Sequence, residues 1–399
     1  MDILEKAINL SALKLSQKLP VYRRFLFDDI KKNPSKIIGL YGPRGVGKTT
    51  LLLQIFQDIN LPLRESIYIS CDHPIFSDIN LYEFLEEFYK KGGKVVFIDE
   101  IHKIKDFQKH IKSAYDFLEL KIYFSGSSAL AITNPDFSRR FSMFHIPILS
   151  LREYIELKTG IRLNSYHLEE ILTDHQNITM DIIRKIPEKI LKIFDEYNSF
   201  GAYPFYFEDP DKYLQRLSDT INATLYFDLA EIYSVSIDKI HSLKKILSTV
   251  CVSKPFELSI EKLANIVGIT KVTLYKYIEY LSRSELIIHL SHESKRFKSV
   301  RKRDKLYLGN TNLLNALCLE KDVGTLRETF FASMTLYKYS IHYPDKGDFL
   351  VNEKYLFEIG GKSKDFSQIK DKSHSYLAVD GIEIGYENKI PLWLIGFLY

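Results

Sequence analysis

The sequence predicts an α/β protein built on a parallel sheet with helices on both faces, followed by helical and mixed α/β segments. Three observations predict it. The apolar run 36–41 leads into Gly42-Pro43-Arg44-Gly45-Val46-Gly47-Lys48-Thr49. The run Lys94-Val95-Val96-Phe97-Ile98 ends in the paired acids Asp99-Glu100. Strand-like and helix-like patterns alternate through residues 36–158, as expected where each parallel strand returns through a helix.

The first run carries the chemistry. A strand entering G-x-x-x-x-G-K-T is a phosphate-binding loop, here Gly42 to Thr49. Gly42, Gly45 and Gly47 let the backbone turn its N–H groups toward phosphate oxygens. Lys48 has the reach for the β- and γ-phosphates, and the Thr49 hydroxyl suits Mg²⁺. Thr50, Leu51-Leu52-Leu53 and Ile55-Phe56 continue as a helix whose N-terminus faces the phosphates. The expected nucleotide-binding residues are therefore Gly42, Pro43, Arg44, Gly45, Val46, Gly47, Lys48, Thr49 and Thr50.

The second run reads as a buried parallel strand, because four consecutive apolar residues suit a sheet covered on both sides. Ligands bind at the carboxyl ends of such strands, where Asp99 and Glu100 sit. Asp99 is the expected second holder of Mg²⁺, and Glu100 the residue that polarises the attacking water. A third strand, Lys121-Ile122-Tyr123-Phe124, runs into Ser125-Gly126-Ser127-Ser128. Hydroxyls at that strand end suit a γ-phosphate or the attacking water, with Ser127 the candidate. Ser127 or Ser128 would equally cap a helix over Ala129-Leu130-Ala131-Ile132. Arg139 and Arg140 follow, and a guanidinium there suits the role of an arginine finger.

Within the alternating region the strands are expected at 36–41, 66–71, 94–99, 121–125 and 143–148. The helices are expected near 48–59, 79–90, 106–118 and 150–158, after a helical lead-in. Residues 161–240 lose the strand signal. Ile182-Ile183, Ile186, Ile190-Leu191 and Phe194 recur at helical spacing, so this is a helical subdomain. Residues 243–308 change character again. Ile260, Leu263, Ala264 and Val267 make one amphipathic helix after a Ser259 cap, ended by Gly268. Thr270 caps a second, with Leu274, Ile278 and Leu281 inward and Lys271, Thr273, Tyr275 and Lys276 outward. A strand at 286–290 follows. Helix, turn, helix and strand predict a winged helix-turn-helix. The basic segment 295–305 beyond it (Lys295, Arg296, Lys298, Arg301, Lys302, Arg303, Lys305) suits phosphate contacts on DNA. Winged helices also dock proteins, and both partners stand open. The last segment, 309–399, holds a helix near 324–331 and a hairpin turned at Asn352-Glu353. Glu328, Asp348 and Glu358 are candidates to share a metal there, with Lys362 as the nearby cation of a nuclease-like core. The usual E-x-K spacing is missing, because position 360 is Gly.

Composition excludes other classes. The apolar fraction is 45% and the charged fraction 27%, ordinary for a soluble globular protein. A net charge of +4 is too weak to imply nucleic acid by itself, so any basic signal must be local. Cys71, Cys251 and Cys318 lie far apart, with no metal spacing and no even disulfide framework, which favours a reducing compartment. The first residues lack a signal peptide's apolar core, and no apolar run approaches the roughly eighteen residues that span a bilayer. A cytoplasmic protein without membrane contact is expected.

Taken together these residues resemble the archaeal and bacterial AAA-type ATPases (AAA_14-like) that carry a DUF4143-like C-terminal part, a winged helix plus a nuclease-like domain. Residues 41–49 resemble the family's Walker A motif. Phe97-Ile98-Asp99-Glu100-Ile101-His102-Lys103 resembles its Walker B, and Ser125-Gly126-Ser127-Ser128 its sensor-1 turn. Ile146-Pro147-Ile148-Leu149-Ser150-Leu151-Arg152-Glu153-Tyr154 is similar to the stretch that closes its core, with Leu at the Phe position. Lys305 to Asn310, Arg327-Glu328-Thr329-Phe330 and Glu358-Ile359-Gly360-Gly361-Lys362 resemble C-terminal landmarks. Arg140 falls near an arginine that follows sensor 1 in the family. The resemblance implies strand order 5-1-4-3-2, a helical lid, a winged helix, a restriction-endonuclease-like α/β end, and ATP hydrolysis with Mg²⁺. It also favours ATP over GTP, and no N-K-x-D signature for guanine follows the core.

The expected organisation is then an ATPase core at 1–158, a lid at 159–240, a winged helix at 241–308 and a nuclease-like domain at 309–399. Lys48, Glu100, Ser127 and Arg140 are the candidate catalytic residues, and Thr49 and Asp99 the metal holders. The expected activity is ATP hydrolysis that changes the shape of the C-terminal modules. Two alternatives stand beside it: a DNA- or protein-binding switch with little turnover, and an ATP-gated nuclease. Nucleotide, DNA, a second copy of the chain or another protein are the expected partners.

Overall fold

The computed structural model describes residues 2–127, 140–233, 235–252, 259–292, 304–369 and 372–399. The chain divides into two compact units, Met1–Pro147 and Ile148–Tyr399.

The first unit is built on a five-stranded parallel sheet in the spatial order β2-β3-β4-β1-β5. The strands are β1 (Ile37–Gly42), β2 (Ser66–Ser70), β3 (Val95–Asp99), β4 (Lys121–Ser127) and β5 (Phe141–His145). This is the 5-1-4-3-2 order, read from the other edge. Every adjacent pair is parallel. Each return therefore needs a crossover, and the helices that supply it cover both faces. Covering explains the apolar strands: all of β3 is buried, including Asp99 at its end. Helix α1 (Ile3–Leu15) and helix α2 (Phe27–Lys32) precede the sheet. Helix α3 (Lys48–Ile59) buries Leu51, Leu52, Leu53, Ile55 and Phe56. Helix α4 (Leu81–Lys90) begins where Asn80 accepts the Glu83 N–H, and buries Leu81, Phe84, Leu85 and Phe88 at i, i+3, i+4 and i+7. Helix α5 (Phe107–Phe117) completes the layer. The fifth strand lies two residues before its expected start, at 141, and ends at His145. Gly39 in β1 is forced by closeness: a Cβ there would meet Met143 Sδ at 2.4 Å and the Phe124 ring at 2.5 Å.

The second unit opens with helix α6 (Leu151–Thr159), which Ser150 caps by accepting the Glu153 N–H. Helices α7 (Leu168–Lys185), α8 (Ile190–Phe200) and α9 (Tyr213–Ala223), a π-helical turn (Thr224–Asp228), α10 (Leu229–Tyr233) and α11 (Ile237–Val252) follow. Helix α12 (Ile260–Val267) starts at the Ser259 cap and stops at Gly268, whose φ of +82° is the left-handed cap that glycine accepts freely. Helix α13 (Lys271–Arg283) starts at Thr270, whose side chain accepts the Thr273 N–H. Strands β6 (Ile287–Leu290) and β7 (Lys305–Leu308) pair antiparallel.

Helix α14 (Thr311–Leu317) ties these pieces together through Asn312, which is fully buried. Its Oδ1 accepts the Ala202 N–H at 2.9 Å and the Tyr213 hydroxyl, and its Nδ2 donates to Tyr197 O and Asn198 O at 3.0 Å each. A buried amide costs stability unless it is satisfied in this way. Helix α15 (Val323–Thr335) packs Phe331 on Phe349 and Phe357 of a second sheet. That sheet runs β12-β11-β10-β9-β8, from β8 (Ile341–His342), β9 (Phe349–Val351), β10 (Tyr355–Gly360), β11 (Ser375–Val379) and β12 (Lys389–Pro391). The β9–β10 hairpin turns at Asn352 and Glu353, with φ of +50° and +58°.

One expectation is overturned here. The three cysteines showed no even disulfide framework and favoured a reducing compartment, yet Cys251 and Cys318 form a disulfide with Cα atoms 5.3 Å apart. Sixty-seven residues separate them in sequence, and spacing along the chain does not report which helix ends pack together. Among the described residues, no helix is long and apolar enough to cross a membrane.

Candidate nucleotide site and its acids

The loop after β1 has the shape its glycines permit. Gly45 and Gly47 take φ of +86° and +93°, and Gly47 caps α3 in the left-handed region. Gly42 lies so close to the backbone that a Cβ would sit 2.1 Å from Ile146 O. Val46 is wholly buried and Pro43 is buried, so they fix the loop to the core, while Arg44 and Thr50 are partly exposed. The Lys48 ammonium is nearly buried and folds back on the loop, donating to Gly42 O at 2.9 Å and Pro43 O at 2.8 Å. It thus lies where the loop carbonyls hold it beside the ring of N–H groups. Arg24, buried and unremarked in the sequence, braces the loop from behind by donating to Val46 O at 2.7 Å and Pro147 O at 2.9 Å.

Asp99 and Glu100 lie at the carboxyl end of β3, as the loop does at the end of β1. The Thr49 hydroxyl donates to Asp99 Oδ2 at 2.8 Å, so the two expected metal holders meet directly. Two further donors meet Asp99. The Tyr68 hydroxyl donates to Oδ2 at 2.8 Å, and Ser125 Oγ donates to Oδ1. Ser125 Oγ also accepts the Glu100 N–H at 3.2 Å. Ser127, the expected residue, is buried at the end of β4 in register with Gly42, while Ser125 makes the contacts to Asp99. Alternation along a strand puts 125 and 127 on one face, so both signals lay within the same short stretch. Burial and Asp99 hold the Tyr68 phenol well above its usual range.

Glu100 takes φ of +53°, which a non-glycine residue adopts only where its surroundings demand it. Burial pushes its carboxyl up to about 7, against the pull of Lys48 and Arg44 and with the help of Asp99. His102, buried in the short turn after it, holds Nδ1 3.3 Å from Glu100 Oε2. A threonine hydroxyl and a carboxylate are the hard oxygen ligands Mg²⁺ prefers, and it takes few protein ligands when phosphates supply others. The donor set therefore fits a magnesium–nucleotide complex, with Thr49 and Asp99 as the protein's share.

Arg140 is placed elsewhere. It precedes β5, whose Phe141 pairs with Ile37 at the start of β1, and its Nε lies 3.8 Å from Asp116 Oδ1. The phosphate loop leaves the opposite end of β1, about five strand residues or roughly 17 Å away. Arg140 therefore does not serve the loop of its own chain. Ser128 and Arg139 lie outside the described residues.

The C-terminal acids assemble differently from expectation. Asp348 lies across from Glu358 by the β9–β10 register, with Asp348 N donating to Phe357 O. Asp348 Oδ2 accepts the Ile359 N–H at 2.7 Å. Glu358 is buried, and its Oε2 has no hydrogen-bond partner among the described residues. The expected cation, Lys362, is exposed and runs over Gly381. Its place is taken by Lys364, whose ammonium pairs with Glu358 Oε1. Lys364 gets there because residue 360 has no side chain: a Cβ on Gly360 would lie 2.6 Å from Lys364 Cγ. Lys305 is a second correction. The sequence placed it in the basic segment suited to phosphate contacts on DNA, but it is buried in β7, 3.9 Å from Glu328 Oε2. Burial holds its ammonium below the usual range, against Glu328, Asp348 and Glu358. Burial and Asp348 in turn push Glu328 up to about 7, and Tyr307 donates to it at 2.5 Å. Among the described residues, no group of three or more His, Cys, Asp or Glu is placed to hold a metal. Residues 295–303, the rest of the basic segment, lie outside them.

Comparison with known proteins bears on the first unit most directly. Residues 34–155 match the model of a family described as an AAA domain. The first unit carries an AAA-type P-loop domain. Residues 191–324 match a domain of unknown function, DUF8612, rather than the DUF4143 that the sequence suggested. An uncharacterised protein of Methanocaldococcus jannaschii is 28% identical over 430 residues, covering 98% of this chain and 90% of that one. An uncharacterised ATP-binding protein of the same organism is 25% identical over 99 residues, 25% of this chain and 27% of that one. Among solved structures, a RuvB variant of Thermotoga maritima has a TM-score of 0.32 at 18% identity, covering 71% of this chain and 88% of that one. AMPPCP-bound DnaA from Aquifex aeolicus has a TM-score of 0.24 at 15% identity, covering 65% and 85%.

Proposed function

We propose that this protein is an Mg²⁺-dependent ATPase whose AAA domain drives a shape change in the C-terminal unit. One observation carries the reading. The Thr49 hydroxyl meets the Asp99 carboxylate at 2.8 Å beside Lys48, with Glu100 one residue further on. Lys48 and the loop amides bind the β- and γ-phosphates, and Thr49 with Asp99 hold the ion. Mg²⁺, when bound, neutralises charge on the phosphates. Glu100 orients the attacking water and takes its proton. Arg140 lies at the end of the sheet opposite the loop and beside Asp116, so a role for it on a phosphate belongs to the site of a neighbouring copy. We expect the purified chain to release phosphate from ATP over many turnovers, and only with Mg²⁺. Tight binding without turnover would replace this reading with that of a nucleotide-operated binding switch.

Helices α11, α12 and α13 and the β6–β7 pair supply the elements of a winged helix. On α13 the side chains of Lys271, Tyr275 and Lys276 are exposed, which supports duplex DNA as partner. Phosphate release measured with and without duplex DNA tests that coupling.

A second reading, phosphodiester hydrolysis by the C-terminal unit, is favoured by Lys364 standing on Glu358 where an E-x-K lysine would reach. Two carboxylates and a lysine suffice for an ion completed by substrate phosphate. On this reading the full chain nicks supercoiled plasmid with Mn²⁺, and Asp348→Ala abolishes nicking while ATP hydrolysis persists. Nicking that survives Asp348→Ala removes it.

A further inference from the structure

We propose that Tyr68 is a positioning residue for the metal-holding carboxylate of Asp99. The inference rests on the hydrolysis-site reading of the AAA domain and extends it to a residue on a different strand. Asp99 meets three hydroxyl donors: Thr49 and Tyr68 on Oδ2, Ser125 on Oδ1. They are not equivalent. Thr49 is itself a metal holder, so its oxygen is shared with the ion once a nucleotide complex binds. Tyr68 and Ser125 then remain to fix the rotation of the carboxylate, one on each oxygen. Tyr68 is the donor on Oδ2, the oxygen that Thr49 contacts.

The phenol is held in place on Asp99. Tyr68 is 2% exposed, and its ring lies against Phe56 at 6.2 Å between centroids. Its backbone is fixed from two sides. It is in register with Phe97 of β3, and Ser11 of α1 accepts its N–H at 2.8 Å while donating to its C=O at 2.8 Å. A phenylalanine would fill the same volume, so packing alone does not call for the hydroxyl. A buried hydroxyl costs stability unless it is bonded, and this one is bonded to Asp99. Outer partners of this kind orient a ligand and set its affinity for the ion.

Tyr68→Phe is the test, because it removes one oxygen and keeps the ring. ATP affinity is measured by calorimetry in EDTA and across a Mg²⁺ titration, with thermal unfolding of the nucleotide-free variant alongside. In EDTA the variant should match wild type within about twofold. The Mg²⁺ concentration that half-restores tight binding should rise about 10-fold or more, the size expected for losing an outer partner of a metal ligand. A merely structural role would lower affinity equally with and without Mg²⁺. That pattern, or a Mg²⁺ dependence equal to that of wild type, would overturn the proposal. A wild type whose ATP affinity ignores Mg²⁺ would instead overturn the hydrolysis-site reading beneath it.

Discussion

Lys48→Ala is expected to weaken ATP binding about 100- to 10,000-fold, because a charge-assisted hydrogen bond is worth about 1.5–3 kcal/mol and this ammonium serves two phosphates. The structure shows why no neighbour replaces it. Lys48 stands at the first position of α3, nearly buried, with its ammonium tethered to Gly42 O and Pro43 O. Those carbonyls aim the charge into the loop, and its four-carbon stem has no room to wander. Arg44 is partly exposed and keeps a positive charge near Glu100. Alanine removes the charge and leaves the loop amides, whose bonds to phosphate are weaker without a cation beside them. The fold should survive, since alanine is a good helix former and the core residues of α3 are untouched. The check is a calorimetric titration of ATP with Mg²⁺, paired with a melting curve. Binding within tenfold of wild type, in a folded variant, would remove Lys48 from the phosphate site.

Which parts of this could be read from the sequence follows from how local each signal is. The parallel sheet was legible because covered strands are apolar throughout, and the two helices within 260–283 because their starts carry side-chain caps at Ser259 and Thr270. The phosphate loop was legible for the same reason: its glycines, lysine and threonine fall within eight consecutive residues. The residues that surround Asp99 were not. Tyr68 lies 31 positions before it and looks like ordinary strand composition until the strands are laid side by side, while Ser125, 26 positions after it, lay in the hydroxyl stretch without its pairing to Asp99 being visible. Arg24 is hidden in the same way, since an arginine before β1 says nothing of the two carbonyls it serves.

Charge runs misled for a related reason. Lys305 closes a string of basic residues, yet it lies in β7, a strand buried along its whole length, beside three acids. Lys362 is nearer Glu358 in sequence than Lys364 is, but a glycine at 360 opens a space that only the later residue folds back to fill. The disulfide between Cys251 and Cys318 likewise depends on which helix ends meet. In each case the chemistry was present in the composition and the partner was set by packing.

Glu100→Gln should separate binding from chemistry. The amide is close to the carboxylate in size and still accepts a hydrogen bond, so it keeps the turn after β3 and the bond from Glu100 N to Ser125. Asp99, Thr49 and Lys48 are untouched, so ATP and Mg²⁺ should bind within about threefold of wild type, a free-energy change below about 0.7 kcal/mol. Turnover should fall about 100- to 10,000-fold, the usual worth of a positioned general base. The placement of Glu100 makes the drop specific. Its backbone is held in the left-handed region and its carboxylate lies 3.3 Å from His102 Nδ1. The charges of Lys48 and Arg44 in the phosphate loop act on the same carboxylate. Asp99 cannot take over, because its two oxygens already meet three donors. The measurement is single-turnover phosphate release beside nucleotide affinity on the same preparation. Release at the wild-type rate would mean that the water is activated by another group. A loss of binding in step with turnover would instead make Glu100 part of the metal's own shell, moving the base to a residue that a neighbouring copy supplies.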